Sequence, residues 1–183
     1  MTAKAIIVFA EGFEEIEAAT PADILRRAGV EVELVGLDAS EVTGAHGVTF
    51  RMDRVLGDRE EADMVILPGG MPGAENLAAS EKLAGVLKAQ AAAGRVVSAI
   101  CASPGLVLAR HGILDGKRAT CYPGFEKHFG PTTEYKTDAV VTDGKVVTSR
   151  GPGTAFAFGL ALAAELAGNE TAEQLGRDMV FET

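Results

Sequence analysis

Residues 96–104, Val96-Val97-Ser98-Ala99-Ile100-Cys101-Ala102-Ser103-Pro104, carry a strand, a thiol and the start of a helix in immediate succession. Five residues without a charge, four of them apolar, mark a strand buried on both faces. Pro104 is tolerated in the first turn of a helix, and the segment from Pro104 to His111 reads as helical. The same grammar recurs on either side. Ala5-Ile6-Ile7-Val8-Phe9 is a second buried strand, followed by a helix from Glu14 to Ala28 with Gly29 at its stop. In that helix Ile16, Ala19, Ile24 and Ala28 fall near helical spacing, and Pro21 is expected to cap or kink it. Met64-Val65-Ile66-Leu67 is a third, leading into Pro68-Gly69-Gly70-Met71-Pro72-Gly73 and a helix from Ser80 to Ala93. Val30 to Val35 alternates and reads as a strand nearer an edge. Val140 to Val147 reads as a hairpin with an Asp143-Gly144 turn. Helices are expected over Thr154 to Ala167, stopped by Gly168, and over Thr171 to Arg177. Alternating β and α segments with strands this apolar predict an α/β fold: a doubly wound, mostly parallel sheet with helices on both faces, formed by residues 1–183 as one domain.

Composition narrows the function. The 183 residues are 47% hydrophobic and 23% charged, an ordinary globular balance. Lys and Arg total 17 against 26 Asp and Glu, a formal charge of -9, which opposes binding to nucleic acid or to an anionic membrane. No apolar run approaches the ~18 residues that span a bilayer. Met1-Thr2-Ala3-Lys4-Ala5 passes straight into a strand without the layout of an export signal, so the expected compartment is the cytoplasm. Cys101 and Cys121 are too few for a disulfide framework.

In doubly wound sheets, ligands bind outside the carboxyl ends of the strands. The loops to inspect are therefore 10–17, 68–73, 101–104 and 149–154. Cys101 has the mechanics of a nucleophile elbow, without the G-x-S-x-G residues. A helix N-terminus favours the thiolate there; a small buried hydrophobe is the other reading. Gly69 and Gly70 would let backbone approach a substrate and donate an amide to an oxyanion, or simply form a tight turn. Among Glu11, Glu14, Glu15 and Glu17, the two middle residues suit solvent. If Ile16 packs inward, Glu17 stands about 100° round the helix and can face the strand ends. A carboxyl beside Cys101 would be pushed toward its protonated form and could serve as acid and base. None of His46, His111 or His128 stands out as a triad member. Cys121 reads as structural. No metal-ligand spacing occurs, and Gly151-Pro152-Gly153-Thr154 lacks the third glycine of a dinucleotide fingerprint.

Taken together, Glu14-Glu15-Ile16-Glu17, Leu67-Pro68-Gly69-Gly70, Ala99-Ile100-Cys101-Ala102-Ser103-Pro104 and Thr148-Ser149-Arg150-Gly151-Pro152-Gly153-Thr154 resemble the ThiJ/PfpI superfamily. The similarity is to the branch of the Parkinson-disease protein deglycase and YajL, and it runs from Lys4 to about Gly168. The resemblance implies a flavodoxin-like fold of the class I glutamine-amidotransferase kind, usually a homodimer, with no metal or organic cofactor. It implies Cys101 as nucleophile, Glu17 as the acid that bonds it and shuttles protons, and the Gly70 and Ala102 amides as oxyanion donors, with Gly69 and Tyr122 lining the site. The implied activity is a cofactor-free glyoxalase or deglycase acting on 2-oxoaldehydes such as methylglyoxal, or on glycated adducts. The alternative is a redox-sensing stress chaperone in which Cys101 oxidises to sulfinate. Two positions depart from the pattern. Ala102 stands where the peptidase branch has a His, which disfavours a peptidase or amidase. Tyr122 stands where the deglycase branch often has a His, and a phenol of ordinary pKa about 10 is a poor base near neutrality. A flavin carrier lacks support: there is no Trp, aromatics are 5%, and no phosphate loop follows the first strand.

Overall fold

The three apolar runs lie side by side in one sheet. In the computed structural model, which describes residues 2–181, the strands are β1 (Lys4–Phe9), β2 (Glu31–Gly36), β3 (Glu41–Thr43), β4 (Thr49–Arg51), β5 (Arg54–Val55), β6 (Met64–Leu67), β7 (Val96–Ile100), β8 (Arg118–Ala119), β9 (Glu134–Tyr135), β10 (Val140–Asp143) and β11 (Val146–Ser149). Seven of them form the main sheet in the order β10-β11-β7-β6-β1-β2-β5. All neighbours are parallel except the β10–β11 hairpin. The central order β2-β1-β6-β7-β11 is the 2-1-3-4-5 pattern of flavodoxin-like folds, so the expected fold class is found.

The period-2 geometry of a strand sends successive side chains to opposite faces. Ala5, Ile7 and Phe9 enter one core, beneath α1 (Glu15–Arg27), α4 (Ala155–Ala167) and α5 (Asn169–Asp178), where Phe158 and Leu162 are fully buried. Ile6 and Val8 enter the other, beneath α2 (Gly73–Ala79), α3 (Glu81–Ala92) and the helical turns after Cys101, with Leu77, Leu87 and Leu108. Helices thus cover both faces, and the central strands have no polar side to expose.

Local expectations fared unevenly. Ser80 caps α3 by accepting the Leu83 amide at 3.2 Å. Helix α1 runs on through Pro21, which forms no cap and is buried. Ile16 does not pack inward: it is 52% exposed, while Glu15, Glu17, Ala18 and Ile24 are buried. The apolar stripe therefore misreads the inward face at the first turn, because that face carries two carboxylates. The β10–β11 turn is Gly144-Lys145 rather than Asp143-Gly144; Asp143 is the last residue of β10 and pairs with Val146. Its carboxylate instead takes the Arg118 amide at 3.0 Å. Helix α2 and the short strands β3, β4, β5 and β9 were not anticipated.

Phe158→Ala is expected to lower the stability to urea by about 3–5 kcal/mol, the usual cost of emptying a filled aromatic site in a core. A loss under 1 kcal/mol would mean that the α4 face is not closely packed.

Candidate active site

Cys101 follows the last residue of β7 and has φ +66°, the left-handed region that a side chain rarely adopts. Such strain costs roughly 1–3 kcal/mol and persists only where neighbours enforce it. Here the Cys101 amide donates to Ser149 O at 3.0 Å, and its carbonyl accepts the Tyr122 amide at 2.8 Å. Ser103 Oγ donates to Pro68 O at 2.6 Å and ties the elbow to the loop after β6. The chain then enters a wide π-type turn over Pro104–Leu108 and a 3-10 turn to His111. The expected elbow is present.

The sulfur meets Glu17 across Gly69. A Cβ on Gly69 would stand 2.6 Å from Cys101 Cβ, 2.8 Å from Glu17 Oε2 and 3.0 Å from Cys101 Sγ, so only glycine fits. Its amide donates to Glu17 Oε2 at 2.8 Å. Gly70, at φ +86°, turns the loop toward the elbow, and its amide and that of Ala102 favour the ionised sulfur. Glu17 is fully buried, and its Oε1 has no well-aligned partner among the described residues.

Burial pushes the Glu17 carboxyl up to about 7; the Gly69 amide and the Cys101 thiol oppose the rise, and the Glu14 charge adds to it. Burial likewise pushes the Cys101 thiol up to about 12, helped by the facing Glu17 charge and opposed by the Gly70 and Ala102 amides. The expected bias toward thiolate is thus reversed while Glu17 is ionised. The helix-end amides act in the predicted sense, but desolvation and a like charge outweigh them. Through neutral pH the pair passes from two protons to one, and a thiolate forms when the remaining proton moves to Glu17.

The other candidates separate. The Tyr122 ring is 46% exposed and lies against Gly151, its Cδ2 3.1 Å from where a Gly151 Cβ would stand; Glu17 Oε1 is 4.0 Å from the same point. Tyr122 therefore flanks the pair. Cys121 is fully buried, and burial pushes its thiol up to about 12. His128 leans on Phe125, and His46 bonds to Glu15. No histidine is among the groups acting on Cys101. Sequence reasoning missed Ser103 and the Ser149–Thr154 hydroxyl pair, 2.7 Å apart, which braces the loop beside Cys101. The hydroxyl directly after the elbow was the available signal.

Three comparisons bear on the family of the chain. Residues 3–165 match the model of the DJ-1/PfpI family. Protein dj-1beta of Drosophila melanogaster is 38% identical over 184 residues, covering 98% of each chain. A Caenorhabditis elegans protein named glutathione-independent glyoxalase DJR-1.2 is 38% identical over 173 residues, covering 93% of this chain and 91% of its own. The structure of oxidised DJ-1 from Toxoplasma gondii superposes with a TM-score of 0.95 at 36% identity, covering all of both chains.

Alkylation of Cys101 by iodoacetamide should rise as pH passes through about 7, where the pair drops from two protons to one. Above that point the thiolate–carboxylic acid form is a constant fraction, so the rate levels off. Glu17→Gln should remove the step near 7 and let Cys101 titrate below its wild-type value, because the charge that raises it is gone. An unchanged pH profile would show that the two groups do not share the proton.

Proposed function

The chain belongs to the DJ-1/PfpI family, and on that premise we propose that it is a cysteine-dependent, cofactor-free glyoxalase or deglycase of small 2-oxoaldehydes and their adducts. The observation that carries the reading is the fully buried Glu17 carboxyl set against Cys101 across Gly69, at the end of a strained elbow. The C. elegans relative's name supports the same chemistry.

With methylglyoxal, the proton of the pair moves to Glu17 and the Cys101 thiolate attacks the aldehyde carbon. A C–S bond forms, and the carbonyl oxygen takes a proton to give a hemithioacetal. The Gly70 and Ala102 amides, already on the sulfur, lie beside the oxygen that carries negative charge in this step. Glu17 then removes the proton from the former aldehyde carbon while the adjacent carbonyl oxygen takes one up, giving an enediol; a proton returned to the adjacent carbon and loss of the first carbon's hydroxyl proton leave a thioester. Water cleaves the C–S bond, releasing lactate and restoring the thiol. One substrate carbon is oxidised and its neighbour reduced, so no external electron carrier enters. Gly69 and Tyr122 line the reacting space. Peptidase chemistry is disfavoured, since no histidine acts on Cys101.

A second reading, a redox-sensing stress protein, is favoured by the same amides, which would hold an oxidised sulfur, and by the oxidised state of the T. gondii relative. It predicts that peroxide adds about 32 Da, two oxygens, at Cys101. In either case the chain is read as a single domain acting in the cytoplasm. Among the described residues no helix is long and apolar enough to cross a membrane. A homodimer is the proposed assembly, with Ile16 and Val48, each 52% exposed, as the apolar surface to be covered.

Lactate formation from methylglyoxal, without glutathione or added metal, tests the enzyme reading. Wild type should turn over, Cys101→Ser should not, and Glu17→Gln should lose about 10²–10⁴-fold in kcat, the usual worth of a general acid–base. Wild-type turnover in Glu17→Gln would refute the mechanism. No turnover in wild type, with peroxide uptake at Cys101, would leave the redox reading.

A further inference from the structure

A second group of chemistry-bearing side chains lies outside the Cys101 site, where the start of α1 meets the turn between β3 and β4. His46 Nδ1 stands 3.0 Å from Glu15 Oε2 and 3.5 Å from Glu14 Oε2, and one ligand atom from each residue lies within 4.8 Å of the other two. We propose that Glu14, Glu15 and His46 form a binding site for a divalent transition cation of the zinc class.

The two separations from His46 suit an ion. Two ligands each about 2.1 Å from one metal stand about 3.0 Å apart at an octahedral angle and about 3.4 Å apart at a tetrahedral one. Both His46 separations are close to those values. The ligand atoms are also held in place. Glu15 Oε1 accepts the His46 amide at 2.8 Å and the Val48 amide at 3.3 Å, which turns Oε2 toward the imidazole. Outer-sphere bonds of this kind fix the orientation of metal ligands.

Glu14 supplies an independent argument. Its side chain is only 12% exposed, and among the described residues its carboxylate has no hydrogen-bond donor; its one cationic neighbour is the imidazole it shares with Glu15. A carboxylate so far out of water calls for a counter-charge. A single proton on His46 supplies one positive charge to two carboxylates, whereas a divalent ion matches both. One imidazole and two carboxylates suit zinc and its first-row neighbours rather than calcium, which takes six to eight oxygens. Three protein ligands leave further positions open to water. In the single chain the imidazole is 70% exposed. No sequence spacing announces the site, because Glu14 and Glu15 are adjacent and His46 lies 31 residues beyond Glu15.

The test is calorimetric titration of the full chain with Zn²⁺ alone, in a buffer that does not chelate it. A Cys101→Ser background removes the thiol as a competing ligand and makes the result independent of the proposed activity. One ion per chain should bind, and His46→Ala and Glu14→Gln should each weaken it by at least about ten-fold. His128→Ala, a control imidazole outside the cluster, should leave binding unchanged. His46 is an exposed turn residue and Glu14→Gln is isosteric, so circular dichroism should find both variants folded. Absence of saturable uptake, or undiminished affinity in His46→Ala, would overturn the assignment and leave the cluster as an ion pair.

Discussion

Glu17 faces Cys101 across a single glycine, and much of the surrounding structure answers to that contact. An uncompensated buried carboxylate costs several kcal/mol. One amide, from Gly69, and a proton shared with the thiol offset part of that cost. The arrangement works only if the loop after β6 approaches the elbow within van der Waals distance, which is why position 69 cannot carry a Cβ. It also requires β1, β6 and β7 to be consecutive neighbours, so that α1, the glycine loop and the thiol emerge at one edge of the sheet. The doubly wound topology is thus a precondition of the chemistry.

The strained backbone of Cys101 belongs to the same design. A residue at φ +66° relaxes unless its flanking peptides are held. They are held from two sides, by Ser149 O on β11 and by the Tyr122 amide in the loop after β8, while Ser103 anchors the following turn to Pro68. Three separate segments therefore converge on the elbow. A relaxed elbow would move the sulfur away from the Gly70 and Ala102 amides and from Glu17 together.

What could be read beforehand follows from how local the cause is. The runs 5–9, 64–67 and 96–100 announce buried strands because burial on both faces leaves an unmistakable composition, and Cys101 stands out by its place at the end of one of them. The reading of Glu17 reached the right face from a wrong premise. Ile16 points to solvent, and Glu15 turns inward to hold the hairpin amides of His46 and Val48, a use of a carboxylate that no helical periodicity encodes. Strands of two or three residues, such as β5 and β9, take their extension from long-range partners and leave little local trace. The ionisation of Cys101 failed for a related reason. Helix-end amides are a local feature, whereas the opposing charge comes from a residue 84 positions earlier in the chain, visible only once the sheet has formed.

Tyr122 decides how far one proton carrier can go. Moving a proton between adjacent carbons of a bound hemithioacetal needs one group that first accepts and then donates, and a carboxyl raised to about 7 is suited to both halves. Cleaving the thioester is different, because the attacking water must also lose a proton. Position 122 offers a phenol rather than an imidazole, and no imidazole acts on the sulfur. In the proposed reaction the lack of an imidazole at position 122 would therefore bear on release of the product rather than on the internal redox step. The same reasoning separates this site from a peptidase, in which a poor amine leaving group must be protonated while an ester bond forms to the thiol. A glyoxalase has no leaving group until its last step, and so it can operate with Cys101 and Glu17 where a peptidase could not.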